Sequence, residues 1–122
     1  MEPQLRKLKD SPEFFTDEKC FIKELWNSEK DSSVSIARAR VEKGVTTKWH
    51  HVKNTIERYV IIKGKGVVEI GEQPKQEMNE GDVAIIPAGC RQRITNTGED
   101  DLIFDAICSP RFLQKNYFQI EE

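Results

Sequence analysis

GVTTKWHHVKNTIERYVIIKGKG, running from Gly44 to Gly66, is the stretch from which the fold follows. It carries both histidines of the protein, His50 and His51, and a glutamate, Glu57, ahead of an apolar run that Lys63-Gly64-Lys65-Gly66 interrupts as a turn does. Side chains alternate along an extended segment, so Glu57, Tyr59 and Ile61 share one face while Arg58, Val60 and Ile62 take the other. On the preceding segment His50 and Val52 share a face and His51 opposes them. If residues 53–56 fold back as a loop, His50 and Glu57 meet.

Outward from this stretch the chain reads as short strands separated by turns. Upstream, Cys20 to Trp26 forms a first strand, Asn27 to Ser33 a turn-rich break, and Val34 to Val41 a second strand. That strand has two registers. In one, Ser35, Ala37, Ala39 and Val41 face the interior and Arg38 and Arg40 face out; in the other, the two arginines line a cavity and suit a carboxylate or phosphate. Downstream, Val67 to Ile70 and Gln76 to Met78 are short strands, Val83 to Ile86 is a buried strand closed by Pro87, and Arg91 to Asn96 and Asp101 to Cys108 complete the series. All seven glycines fall between Gly44 and Gly98, mostly where strands should end. The pattern is that of an all-β sandwich or barrel over residues 13–112. Residues 1–12 form a loose arm, and the tail 113–122 is apolar enough to pack on the barrel or on a second subunit.

The chain's 122 residues suffice for one core without staples. With 33% charged and 37% hydrophobic residues it is a soluble globular domain. A net charge of -2 gathers no phosphate backbone, so nucleic acid is not an expected partner. No apolar run reaches the roughly 20 residues of a membrane helix. The charged start MEPQLRKLKD has no signal-peptide core, which leaves the cytoplasm as the expected location. Cys20, Cys90 and Cys108 are an odd number without metal-type spacing and read as free thiols. Cys90, two residues before Gln92, shares the site face if the strand has begun there.

The stretch from Gly44 to Gly64 resembles the first of the two motifs of the cupin superfamily, with Gly44, His50, Glu57 and Gly64 in place and Val52 where a second histidine stands. Residues 81–96 resemble the second motif, with Gly81, Pro87, Gly89 and Asn96 in place and Gln92 at the position of its histidine. The resemblance implies a double-stranded β-helix, a jelly-roll barrel. It also implies a homodimer and a divalent metal of the Mn, Fe, Ni or Mg type in the barrel mouth, carried here by His50, Glu57 and Gln92. His51 joins that set only if a local bulge rotates it inward. Otherwise the same three groups form a metal-free hydrogen-bonded cluster.

Tyr59, on the face of Glu57, is either a wall aromatic or a pocket proton donor with His50 as base, similar to the division of labour in metal-free sugar epimerases of the superfamily. Trp49 reads as packing, and Arg91 and Arg93 as a solvated or interfacial edge. Three functions follow. One is a metal-dependent isomerase or dioxygenase acting on a sugar, organic acid or phenolic substrate. The second is a metal-free isomerase or epimerase using His50 and Tyr59, and the third a non-catalytic sensor of a small ligand. The catalytic candidates are thus His50, Glu57 and Tyr59.

Overall fold

A computed structural model describes residues 1–121. The described chain is all-β apart from two single-turn 3-10 helices, Leu8–Asp10 and Gln114–Asn116. Its strands are β1 (Phe14–Phe15), β2 (Phe21–Trp26), β3 (Ser35–Val41), β4 (His50–Val52), β5 (Ile56–Lys63), β6 (Gly66–Ile70), β7 (Gln76–Met78), β8 (Val83–Ile86), β9 (Gln92–Asn96), β10 (Leu102–Ser109) and β11 (Tyr117–Gln119). They form two sheets, ordered β1-β2-β3-β10-β5-β8 and β11-β4-β9-β6-β7. Every strand pair is antiparallel. This is the jelly-roll, double-stranded β-helix expected from the sequence.

Alternation along the strands builds the core. Val41, Ile61, Ile86, Ile94 and Leu102, from five different strands, are at most 1% exposed. Each such side chain contributes about 1.5–3 kcal/mol by leaving water. Two glycines let the chain close over them. Gly64 adopts a φ of +86°, and a Cβ there would lie 2.9 Å from the Asp101 carbonyl oxygen. At Gly66 a Cβ would come within 2.6 Å of the Thr95 carbonyl oxygen.

The register of β3 is the one that turns the arginines outward. Ser35, Ala39 and Val41 are buried. Arg38 forms a two-pronged pair with its cross-strand neighbour Asp105, at 2.8 and 3.1 Å. Arg40 bridges Glu13 at 2.8 Å and Asp101 at 3.1 Å, with its guanidinium 4.1 Å above the Phe21 ring. The expectation of a buried strand at Val83 to Ile86 is corrected: Val83 and Ile85 are 54% and 65% exposed, and only Ala84 and Ile86 turn inward. The reason is position, since β8 ends its sheet and pairs only with β5. Among residues 1–12 only Ser11 is buried, and its hydroxyl accepts a hydrogen bond from Arg6. No helix among the described residues is long and apolar enough to cross a membrane.

Candidate functional site

Two cross-strand pairs, one from each sheet, face one another. In the five-stranded sheet His50 on β4 lies opposite Gln92 on β9; in the six-stranded sheet Glu57 on β5 lies opposite Cys108 on β10. All four side chains are buried. The Gln92 amide Nε2 donates to Glu57 Oε1 across the gap between the sheets. The Cys108 thiol donates to the other carboxylate oxygen at 3.7 Å.

A cavity of about 400 Å³ opens beside these groups and is lined by His50, Glu57, Tyr59 and Cys108 among others. Its volume falls in the range of small-molecule sites. Gln92 does not line it; it stands behind Glu57. Tyr59 lies with its ring centroid 4.4 Å from that of Phe104, and both side chains form part of the wall.

The hydrogen bonds of His50 assign its tautomer. Nδ1 lies 2.9 Å from the Lys48 carbonyl oxygen and 3.4 Å from Glu18 Oε2. Both of these oxygens accept, so Nδ1 carries a proton and Nε2 is the ring nitrogen left without a protein partner. Burial raises the Glu57 carboxyl above the ordinary 4.5, a rise that His50 and the Gln92 amide oppose without cancelling. Burial also raises the Tyr59 hydroxyl well above its usual range, with the Glu57 charge adding to it. The Cys108 thiol is raised by burial and then by Glu57, so it stays protonated and is a poor nucleophile. The cavity therefore presents the His50 ring beside Tyr59 and Cys108, which burial keeps protonated, and beside Glu57, whose protonated form burial favours.

Three of these residues escaped the sequence reading. Cys108 faces the site, whereas Cys90 does not. Cys90 sits in the turn after Pro87, where its backbone N–H bonds the Pro87 carbonyl; the strand begins only at Gln92, so the condition for Cys90 to share the site face is not met. Glu18 arrives from the turn before β2, where Thr16 and Lys19 close a backbone hydrogen bond. Tyr117 arrives from the tail, where β11 pairs with β4 and sets it opposite Val52. Its ring stacks on His50 with centroids 5.2 Å apart, and its hydroxyl donates to Glu18 Oε2 at 2.8 Å. No local motif marks Glu18 or Tyr117, because their placement depends on which distant segment each one docks against.

The inward rotation of His51 does not occur. β4 keeps regular pairing with β11, and His51 stacks on Phe118 on the outer face at 5.2 Å. Trp49 is held between Arg91 and Arg93, whose guanidinium carbons lie 4.3 and 4.4 Å from its ring centre. Arg93 in turn pairs with Glu69 at 2.6 Å.

As placed, the donors do not fit a resident divalent ion. Val52 puts hydrocarbon on the face of β4 beside His50, and Gln92 turns its amide nitrogen toward Glu57. Among the described residues no three of His, Cys, Asp and Glu gather as a ligand set.

A family model described as the cupin domain matches residues 37–108, more than half of the chain. No curated protein matches the chain by sequence. Among solved structures, Pac13 of Streptomyces, described as a nucleoside dehydratase, is similar with a TM-score of 0.82 and 14% identity, over 98% of this chain and 92% of that one. Variants of it have been solved with uridine. A predicted oxalate decarboxylase of Thermotoga maritima gives a TM-score of 0.77 and 21% identity, over 88% of this chain and 99% of that one. KdgF of a Halomonas species gives 0.76 and 16%, over 89% and 96%. At these identities the likeness is one of fold.

Proposed function

The chain belongs to the cupin family, and from that premise we propose that it is a metal-independent enzyme that moves protons on a small organic molecule held in the 400 Å³ cavity. His50 Nε2 is the general base, and Tyr59 and the neutral Glu57 carboxyl are the proton donors. The observation that carries this reading is the bond from His50 Nδ1 to the Lys48 carbonyl at 2.9 Å. It fixes the ring and leaves the other nitrogen free, while burial keeps Tyr59 protonated and favours the protonated form of Glu57.

In the step this supports, His50 takes a proton from carbon next to a carbonyl. The electron pair shifts toward the carbonyl oxygen, which receives a hydrogen bond from Tyr59 or Glu57. Return of a proton to carbon completes an isomerisation, and protonation of a departing β-hydroxyl completes a loss of water. Each acid–base partner of this kind contributes about 10²–10⁴-fold to rate. That the fold hosts small-molecule enzymes elsewhere, a nucleoside dehydratase among them, is in keeping with it.

The test is hydrogen exchange in D2O, followed by NMR, across a panel of aldoses, ketoses and nucleosides. A substrate whose carbon-bound proton exchanges should lose that exchange by about 10²–10⁴-fold in His50→Gln and keep it after exhaustive chelation. Exchange that vanishes on chelation and returns with a divalent ion would refute the metal-free reading.

One observation favours a second reading with a bound Mn, Fe, Ni or Mg ion. Gln92 Oε1 is buried without a hydrogen-bond partner, and turning the amide over would offer an oxygen alongside His50 and Glu57. Elemental analysis of the purified protein separates the two. Stoichiometric metal that His50→Ala and Gln92→Ala both release supports the second reading.

A further inference from the structure

The wall of the cavity has a one-sided charge. Four carboxylic acids line it, Asp17, Glu18 and Glu24 beside the opening and Glu57 deeper, and among the described residues no lysine or arginine does. Three nearby arginines are committed elsewhere: Arg38 and Arg40 point outward into their own ion pairs, and Arg111 donates to Asn27 Oδ1 at 2.9 Å. Lys23 alternates with the lining residues Ile22 and Glu24 along β2 and so takes the opposite face. Sites that hold phosphate or carboxylate use guanidinium forks, ammonium groups or clustered backbone N–H groups. This wall supplies none of the side chains for that. It supplies instead a broad apolar surface from Phe14, Phe15, Ile22, Phe104 and Phe112.

We infer that the site takes an uncharged or amine-bearing ring molecule with one apolar face, and turns away phosphates and carboxylates. This narrows the substrate class and rests on the reading of the cavity as a small-molecule site. The discriminating element is the rim. An entering anion meets the exposed carboxylates of Asp17 and Glu24, then Glu18. An entering amine meets the same groups with the opposite sign and also finds aromatic faces. Against a single carboxylate a few ångströms away, at the dielectric of a protein surface, the repulsion is worth about tenfold in affinity or more. It shrinks as salt is added. Organic acids, one of the classes open from the sequence, are thereby set aside in favour of sugars, amino sugars, nucleosides and phenols.

The experiment is a titration of isotope-labelled protein, at low ionic strength, with matched sets that differ only in charge. The sets are glucose, glucosamine and glucuronate; uridine and its 5′-monophosphate; and benzyl alcohol, benzylamine and benzoate. Binding is read from the His50 ring signals. Within any set that binds, the acid should be at least about tenfold weaker than its neutral or amine partner, and added salt should narrow the gap. The double variant Asp17→Lys, Glu24→Lys changes two exposed side chains and should shrink it by threefold or more. Acids binding as well as their neutral partners would overturn the charge selection while leaving the cavity as a ligand site. A gap untouched by the double variant would overturn the role of the rim. If no member of any set moves the His50 signals, the small-molecule site itself falls, and with it the proposed function.

Discussion

Replacing Glu57 by glutamine should stabilise this protein at neutral pH, although Glu57 is central to the proposed chemistry. Glu57 is 6% exposed, and burial raises the folded pKa of its carboxyl above the ordinary 4.5. The sign follows from which state releases its proton first. Below about 4.5 the group is neutral in both states and folding carries no penalty. As pH rises through 4.5 the unfolded chain ionises while the folded one holds its proton, so stability falls, with a limiting slope of about 1.4 kcal/mol per pH unit for one proton. The fall ends once pH passes the folded pKa. Glutamine has the same shape, never ionises, and lets the two amides exchange hydrogen bonds, which also gives the unpartnered Gln92 Oε1 a donor. Satisfying that atom and removing the cost of holding a proton on a buried carboxyl should together amount to about 1–3 kcal/mol at pH 7.5. The assay is urea unfolding followed by tryptophan fluorescence from pH 4.5 to 8, on wild type and Glu57→Gln. The difference should be smallest near pH 4.5 and grow with pH. A variant less stable than wild type at pH 7.5, or a difference independent of pH, would refute the account of Glu57 as a carboxyl kept neutral by burial.

The other predictions concern the frame around it. Tyr117→Phe removes the 2.8 Å bond to Glu18 but keeps the stack on His50. It should cost about 0.5–1.5 kcal/mol in urea unfolding and shift the His50 ring signals in NMR. Arg38→Ala breaks a pair on the outer face whose arginine is 33% exposed. A loss within about 1 kcal/mol and unchanged ligand titrations are expected, whereas altered ligand affinity would contradict the outward register of β3. Gly66→Ala forces a methyl group to within 2.6 Å of the Thr95 carbonyl oxygen, so thermal unfolding should show a loss of about 2 kcal/mol or more, within the range of overpacked sites.

The fold was legible because it depends on local chemistry. Turns at Gly64 and Gly81, alternation through Glu57, Tyr59 and Ile61, and Pro87 at the end of a strand each act over a few residues, and the two motif spacings tie them together. Strand parity also brought His50 and Glu57 to one hollow. Parity says which face a residue takes, however, not how its atoms are spent. Gln92 therefore lies on the expected face, yet its amide is used on Glu57 and it does not reach the cavity. Glu18 and Tyr117 stayed hidden because loop and tail docking are set by contacts across the whole chain, Tyr117 meeting Glu18 from 99 residues away. The exposure of Ile85 was misjudged for a similar reason: an apolar run looks the same at the edge of a sheet as at its centre, and only the strand order separates the two.

The bond between Gln92 and Glu57 is also a fastening, since its two ends belong to different sheets. A guest that takes over that oxygen in place of the amide releases one tie between the layers of the sandwich. Occupancy of the hollow is thereby coupled to how far the layers breathe at that level. Backbone amides of β5 and β9 should then register arrival of a guest at Glu57 as a change in their rate of hydrogen exchange, even where no side chain in the mouth moves.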